Sequence, residues 1–316
     1  MKYFVSTLLL VCSSVNLQAG LVSFKNYVGN VGVSTAGRGT LAQAGTLTVN
    51  APVGSKVLGA FVYSSTSFGG VAGGTLDALP LSYGLIGNLP FLQSYRADVT
   101  AYVKSVIDGG PGGAYTFNFT ETDNRQDGTG IVVVYENPLL PVSTVAILDG
   151  AQNQAGDSFA ATFTTPLDPT APGFFAEMRL GIGFSFNPNG PAGTDQHSTV
   201  RVNGTLISAA AGNFDDGAAA NGALFTVGDD KDPFTPFLPA NMEQDNERYN
   251  LVPYIKVGDT VIKIDTNNPS FDDIIFLAVF HISGEGRVDN VIPEPSTYAL
   301  MAGGLALLAG LARRRQ

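Results

Sequence analysis

Asp229-Asp230-Lys231-Asp232 and Asp272-Asp273 are the densest groups of potential ligands in the chain. Oxygen donors of this kind suit calcium, which can bind weakly in extracellular loops. A weak calcium site drawn from Asp229, Asp230, Asp232, Asp272 and Asp273 is therefore the first chemical expectation. It stands against the simpler reading of solvated turn acids that cap and bend the chain. Asp123-Asn124-Arg125-Gln126-Asp127-Gly128 looks like part of an EF-hand loop, but Arg125 occupies a ligand position and the closing Glu is missing. Paired carboxylates could also hydrolyse glycosides, given an acid and a partner about 5–10 Å apart. Glu121, Glu136, Glu177 and Glu243 are the candidates, and no pair stands out.

Other chemistries find less support. His197 and His281 are the two histidines, and His281 sits in the apolar run 276–282, where it reads as a satisfied strand residue. Zinc prefers three or four His or Cys ligands, which two histidines cannot supply without carboxylates. No Gly-x-Ser-x-Gly elbow, P-loop or dinucleotide-binding glycine motif occurs. Cys12, the one cysteine, falls inside an N-terminal apolar segment, so a mature chain would hold no thiol. No catalytic residue is expected, and no cofactor beyond the weak calcium.

The elements that would position these residues read as strands. Hydrophobic residues make up 44 % of the chain and charged residues only 14 %, with 38 glycines and no tryptophan. A packed core is expected, built from short strands and tight turns. Val57–Tyr63 is apolar, 115–120 alternates, and Ile131–Tyr135 is a continuous run suited to a strand covered on both faces. Setting aside Lys2 and Arg313–Arg315, the chain has 13 basic and 27 acidic residues, a net of −14. Such a body repels nucleic acid and anionic lipid headgroups.

The two ends carry targeting signals. Lys2, the apolar stretch 4–15 and the small Ala19 form the charged, apolar and cleavage parts of a secretory signal, with cleavage expected after Ala19. At the other end, Pro293-Glu294-Pro295 precedes an uncharged stretch, 297–312, and then Arg313-Arg314-Arg315. As a helix the stretch rises about 24 Å, slightly short of a hydrocarbon core of roughly 30 Å. The snorkelling arginine stems can cover the difference, and their charge favours a cytoplasmic C-terminus. These three parts, in this order, resemble the PEP-CTERM sorting signal. The resemblance implies recognition by exosortase, an integral-membrane cysteine protease, with cleavage near the motif. It also implies a transient inner-membrane anchor, then release or transfer to the cell surface or extracellular matrix.

Between the ends the chain reads as a diverged repeat. Arg96–Lys104 resembles Arg248–Lys256, and Phe117 and Phe119 match Ile262 and Ile264. In the same register Asp127 and Ile131–Tyr135 match Asp272 and Phe276–Phe280. Upstream, Phe61 and Tyr63 match Phe184 and Phe186, and Gly74-Thr75-Leu76 matches Gly204-Thr205-Leu206. The expected fold is all-β: two tandem antiparallel β-sandwich halves, jelly-roll-like, with a signal helix before and a transmembrane helix after. The expected division is 1–19 signal peptide, 20–140 first sandwich, 141–288 second sandwich, and 289–316 sorting tail. The second half holds an acidic insertion near 213–246, and long insertions of this kind usually serve a function.

Two classes of function follow. The first is an exported structural or adhesive protein without catalytic activity, with exosortase, the general secretion machinery and the membrane as its partners. The second is a carbohydrate-binding module, whose ligand would be extracellular polysaccharide. A secreted hydrolase is a third and weaker reading, and nucleic acid is excluded as a partner.

Overall fold

The computed structural model describes residues 20–40, 42–183, 198–212, 224–239, 244–269, 271 and 273–290. The signal segment 1–19 and the apolar stretch 297–312 lie outside the described residues. No helix among the described residues is long and apolar enough to cross a membrane.

The described chain is nearly all β, in several antiparallel sheets. In the first half, one sheet runs β2 (Val31–Gly39), β10 (Gln126–Glu136), β4 (Lys56–Ser67), β8 (Leu92–Asp98) and β7 (Gly84–Asn88). The facing sheet runs β3 (Ala44–Ala51), β9 (Gly113–Glu121), β5 (Gly74–Leu76) and β6 (Leu79–Pro80). Leu47, Phe117 and Phe119 pack between them against Val62, Ile131 and Val133. The helix α1 (Thr100–Ile107) closes this core with Val103 and Ile107, one turn apart on its buried face.

The second half repeats the winding. Its inner sheet runs β11 (Ser143–Asp149), β19 (Ile274–Ser283) and β13 (Ala176–Gly183), whose free edge is shared by β16 (Phe225–Val227) and β17 (Arg248–Asn250). Its outer sheet contains β12 (Ser158–Phe163), β18 (Val261–Asn267), β14 (Ser198–Val202) and β15 (Thr205–Ala211). In both halves successive strands cross between the sheets in the same order. Two strands stand outside the repeat. β1 (Val22–Gly29), early in the chain, is paired with β11, and β20 (Gly286–Asn290) is paired with β12. Both ends of the described chain therefore flank one side of the second half, and a boundary at 140 leaves β1 in the sheet that lies beyond it.

A further core joins the halves. Val33, Phe61, Tyr63 and Val132 on the outward face of β2, β4 and β10 meet Ile147, Phe225, Phe276 and Val279. The central sheets are thus covered on both faces. That is why β4 and β10 read as unbroken apolar runs while β9, open to solvent on one side, alternates.

The ladder corrects part of the sequence overlay. Ala60 accepts the Val99 N–H at 2.9 Å and faces Val133, while Ala176 accepts the Leu251 N–H at 2.8 Å and faces Ile282. Val133 therefore corresponds to Ile282, four residues beyond the Ala278 expected. Phe61 and Tyr63 correspond to Glu177 and Arg179, not to Phe184 and Phe186, which lie outside the described residues. The connection between β18 and β19, six residues against four between β9 and β10, absorbs part of the slip. Gly74-Thr75-Leu76 corresponds to β14, since Leu76 faces Phe119 as Val202 faces Ile264. The turn that follows is the closest likeness between the halves. Asp77 and Asn203 both take positive φ, 49° and 48°. Each also accepts a backbone N–H on its Oδ1, from Asn118 at 2.9 Å and from Lys263 at 2.8 Å. Asp and Asn tolerate the left-handed region because a short polar side chain can bond locally in this way.

Candidate functional site

Three places merit a chemical reading: the acidic insertion, the buried charges between the halves, and the corner where the chain ends meet.

Asp229, Asp230 and Asp232 share a turn but do not converge on a common point. Asp229 Oδ1 accepts the N–H of Lys231 at 2.5 Å and of Asp232 at 3.1 Å, and Asp232 Oδ2 accepts the N–H of Asp229 at 2.7 Å. Asp230 turns the other way, onto Arg179 Nη1 at 2.5 Å and onto Ser34 Oγ. Asp273 is buried at the start of β19, remote in the chain, and Asp272 lies outside the described residues. Among the described residues no three His, Cys, Asp or Glu side chains gather as a metal would require.

A described part of the insertion, 225–230, instead straps the halves together. Thr35 Oγ1 donates to Gly228 O at 2.7 Å, and Asp230 N–H donates to Thr35 O at 3.3 Å. Phe225 and Val227 press on Gly128 and Gly130 of β10, where a Cβ would stand 2.7 Å and 3.0 Å from their side chains. The Gly-x-Gly of β10 is thus a seat for β16.

Beneath the strap lies an ion cluster. Arg179 is 4 % exposed and holds Glu177 at 2.8 Å, Asp230 at 2.5 Å and Thr35 Oγ1 at 2.7 Å. Arg248 clamps the other Glu177 oxygen through Nε at 3.0 Å and Nη2 at 2.9 Å. Burial pushes the Glu177 carboxyl up, but His281, Arg179 and Arg248 together outweigh it and hold it well below the usual range. His281 stands with Nδ1 3.8 Å from Glu177 and Nε2 3.3 Å from Ser143 Oγ. Serine, histidine and glutamate in line is an arrangement that sequence spacing concealed. It lacks what acyl transfer needs. Ser143 is fully buried, its hydroxyl donates to Val31 O at 2.8 Å, and Glu177 is committed to two arginines. Of the other glutamates, Glu136 is exposed, Glu121 is buried in the first half, and Glu243, like His197, lies outside the described residues.

The chain ends meet at a corner of the second half. Ser23 N–H donates to Asn290 Oδ1 at 2.9 Å, Ser23 Oγ donates to Val288 O at 3.0 Å, and Val288 N–H donates to Asn26 Oδ1 at 2.9 Å. Asn290 Nδ2 donates back to Leu21 O. Side chains here substitute for a backbone ladder and tie β1 to β20. Asp157 sits beside Gly20 and accepts from Asn153 Nδ2 at 2.8 Å and from Leu21 N–H at 3.4 Å. Burial raises the Asp157 carboxyl despite these bonds. The expected cleavage residue Ala19 immediately precedes this corner, and the C-terminal tail leaves from it.

Residues 291–316 match the model of the PEP-CTERM protein-sorting motif. The PEP-CTERM motif includes Pro293, Glu294, Pro295 and the basic tail Arg313, Arg314 and Arg315, all outside the described residues. It begins one residue after β20 ends. The motif implies recognition by exosortase, export, and processing at the membrane. No curated protein and no solved structure matches the chain.

Proposed function

We propose that the chain is an exported, exosortase-processed protein of the cell surface or extracellular matrix, whose two jelly-roll-like sandwiches serve a structural or adhesive role without catalysis. The PEP-CTERM motif at residues 291–316 carries this reading. The fold supports it in two ways. The motif begins one residue after a strand pinned to β1, so the processing site follows the folded body within a few residues of sequence. The halves share an apolar core and the cross-half ion pair Arg96–Asp149, which suit a stiff load-bearing module. After secretion Ala19 and the Pro293-Glu294-Pro295 region would both be cut close to this corner. Glu294→Ala in the host, followed by fractionation and mass spectrometry, tests the reading. Full-length tail should accumulate in the membrane, and unchanged release of a shortened chain would defeat it.

Polysaccharide binding is the second reading. A surface groove between the β14–β15 turn and the segment after β17 is lined by Asn203, Tyr254, Lys256 and Asp259. An aromatic face with polar neighbours suits a sugar ring. A glycan array with Tyr254→Ala as the control decides it: binding must occur and must weaken in the variant.

A further inference from the structure

The first half buries a cluster of polar side chains at the end of its core, where several polar atoms lack a partner. Glu121, the last residue of β9, and Asp127 and Thr129, alternate residues of β10, face inward beyond Phe119 and Ile131. Both carboxylates are more than nine-tenths buried, at 7 % and 6 % exposure. Glu121 Oε1 accepts from Thr129 Oγ1 at 2.7 Å, but Glu121 Oε2 and Asp127 Oδ2 are buried with no hydrogen-bond partner. The same holds for Gln43 Oε1, Tyr83 Oη and the Nε2 of Gln126, which is 1 % exposed. These groups are neighbours in the fold. Glu121 N–H donates to Gln43 O at 2.8 Å, Gln43 Nε2 donates to Gln126 O at 3.3 Å, and Tyr83 approaches both Glu121 and Thr129.

Unsatisfied buried oxygens are costly, and two buried carboxylates more so unless a counter-charge accompanies them. The protein supplies none among the described residues. Arg125 is committed to Asp123 at 2.8 Å, and the exposed Arg38 makes no ion pair with either acid. The cluster is therefore short of counter-charge and rich in oxygen donors.

We propose that this cluster is a calcium site, with Glu121 Oε2 and Asp127 Oδ2 as charged ligands and Tyr83 Oη and Gln43 Oε1 as neutral ones. Calcium accepts mixed carboxylate, carbonyl and hydroxyl oxygens with water completing its shell, whereas magnesium gives up its water reluctantly. A coordinated water also provides the acceptor that Gln126 Nε2 needs. The site is separate from Asp229, Asp230 and Asp232, and it would tie β9 to β10 where α1, at the opposite end of the core, cannot reach. It stands independently of the sorting reading, although export would expose the protein to calcium at the concentrations such sites bind, about 10⁻⁴–10⁻³ M.

Thermal unfolding of the full chain in detergent tests this, comparing EDTA with 1 mM calcium and 1 mM magnesium. Calcium should raise Tm by about 3 °C, as expected for a site half-saturated near 0.1 mM, and magnesium should raise it less. The rise should vanish in Glu121→Gln/Asp127→Asn and persist in Asp229→Asn/Asp232→Asn. Should the double variant fail to fold, terbium luminescence of the single variant Asp127→Asn gives a second readout. The chain has no tryptophan, so emission is sensitised by tyrosine, and Tyr83 with its ring neighbour Tyr95, 6.3 Å away, stands at this site. Emission that calcium displaces in the native chain and that is weakened in Asp127→Asn supports the site. No calcium-dependent shift in the native chain, or a shift and emission unchanged by both sets of cluster substitutions, overturns it.

Discussion

At the scale of single residues, the repeat swaps aromatic packing for charge. Phe61 and Tyr63 in the first half occupy the places that Glu177 and Arg179 hold in the second, both facing the seam between halves. A buried ion cluster contributes little relative to an apolar replacement of the whole set, but breaking it from one side leaves a bare charge. Arg179→Met should therefore lower the unfolding free energy by about 3–5 kcal/mol in a urea titration, because Glu177 and Asp230 lose their closest partner. Glu177 also sets a pH dependence. Its folded carboxyl lies below its unfolded value, so its contribution is complete above the ordinary carboxylate range and is lost as pH falls through the folded value. A Tm profile from pH 7 to 3 should fall less steeply at its acid end in Glu177→Gln than in the native chain. Equal slopes would mean that the cluster does not hold the carboxyl down.

At the scale of elements, strand chemistry and turn chemistry were legible in the sequence, and register was not. The alternation of Phe117 and Phe119 and the unbroken run 131–135 specify an outer and an inner strand, and the structure has β9 and β10 in those roles. The likeness of Arg96–Lys104 to Arg248–Lys256 marks β8 with α1 and β17 with the 3-10 turn at Val252–Tyr254, where Pro253 cuts the helix short. The correspondence of β4 with β13 could not be read, because Glu177 and Arg179 stand where β4 has Phe61 and Tyr63. The partners of β1 and β20 were equally hidden, since they lie more than a hundred residues away and are held partly by asparagine and serine side chains. The candidate aspartates were legible only as composition: whether Asp230 meets an ion or Arg179 depends on the strap reaching across to the first half. The glycine seat gives a direct test of that strap. Gly128→Val forces a side chain into Phe225 and the Arg38 carbonyl, and it should cost about 1–3 kcal/mol by urea unfolding. Gly54→Val, at a solvent-facing turn, is the control for backbone effects alone, since no atom lies near its Cβ but its φ of 82° is strained.

For the molecule as a whole, the decisive question is whether two similar sandwiches behave as two units or one. Independent beads would expose polar faces to each other across a thin contact. Here the facing surfaces are the apolar sides of both central sheets, with Phe276 stacked on Phe225 at 5.3 Å and tilted against Tyr63 at 6.5 Å. One ion pair and one hydrogen-bonded strap flank this core. Asp149 of the second half takes both Arg96 and the Tyr63 hydroxyl of the first, and Asp230 takes Arg179 while its loop bonds to Thr35. β1 crosses from the start of the chain into the second half's sheet, so unfolding either half disturbs the other's edge. Calorimetry should accordingly show one cooperative transition. Phe276→Ala should lower stability by about 3–5 kcal/mol and move that single transition down intact, because the cavity opens in the core that both halves share. A split profile, with one transition left at the native temperature, would mean that the sandwiches fold separately and that the seam is a docking contact rather than a core.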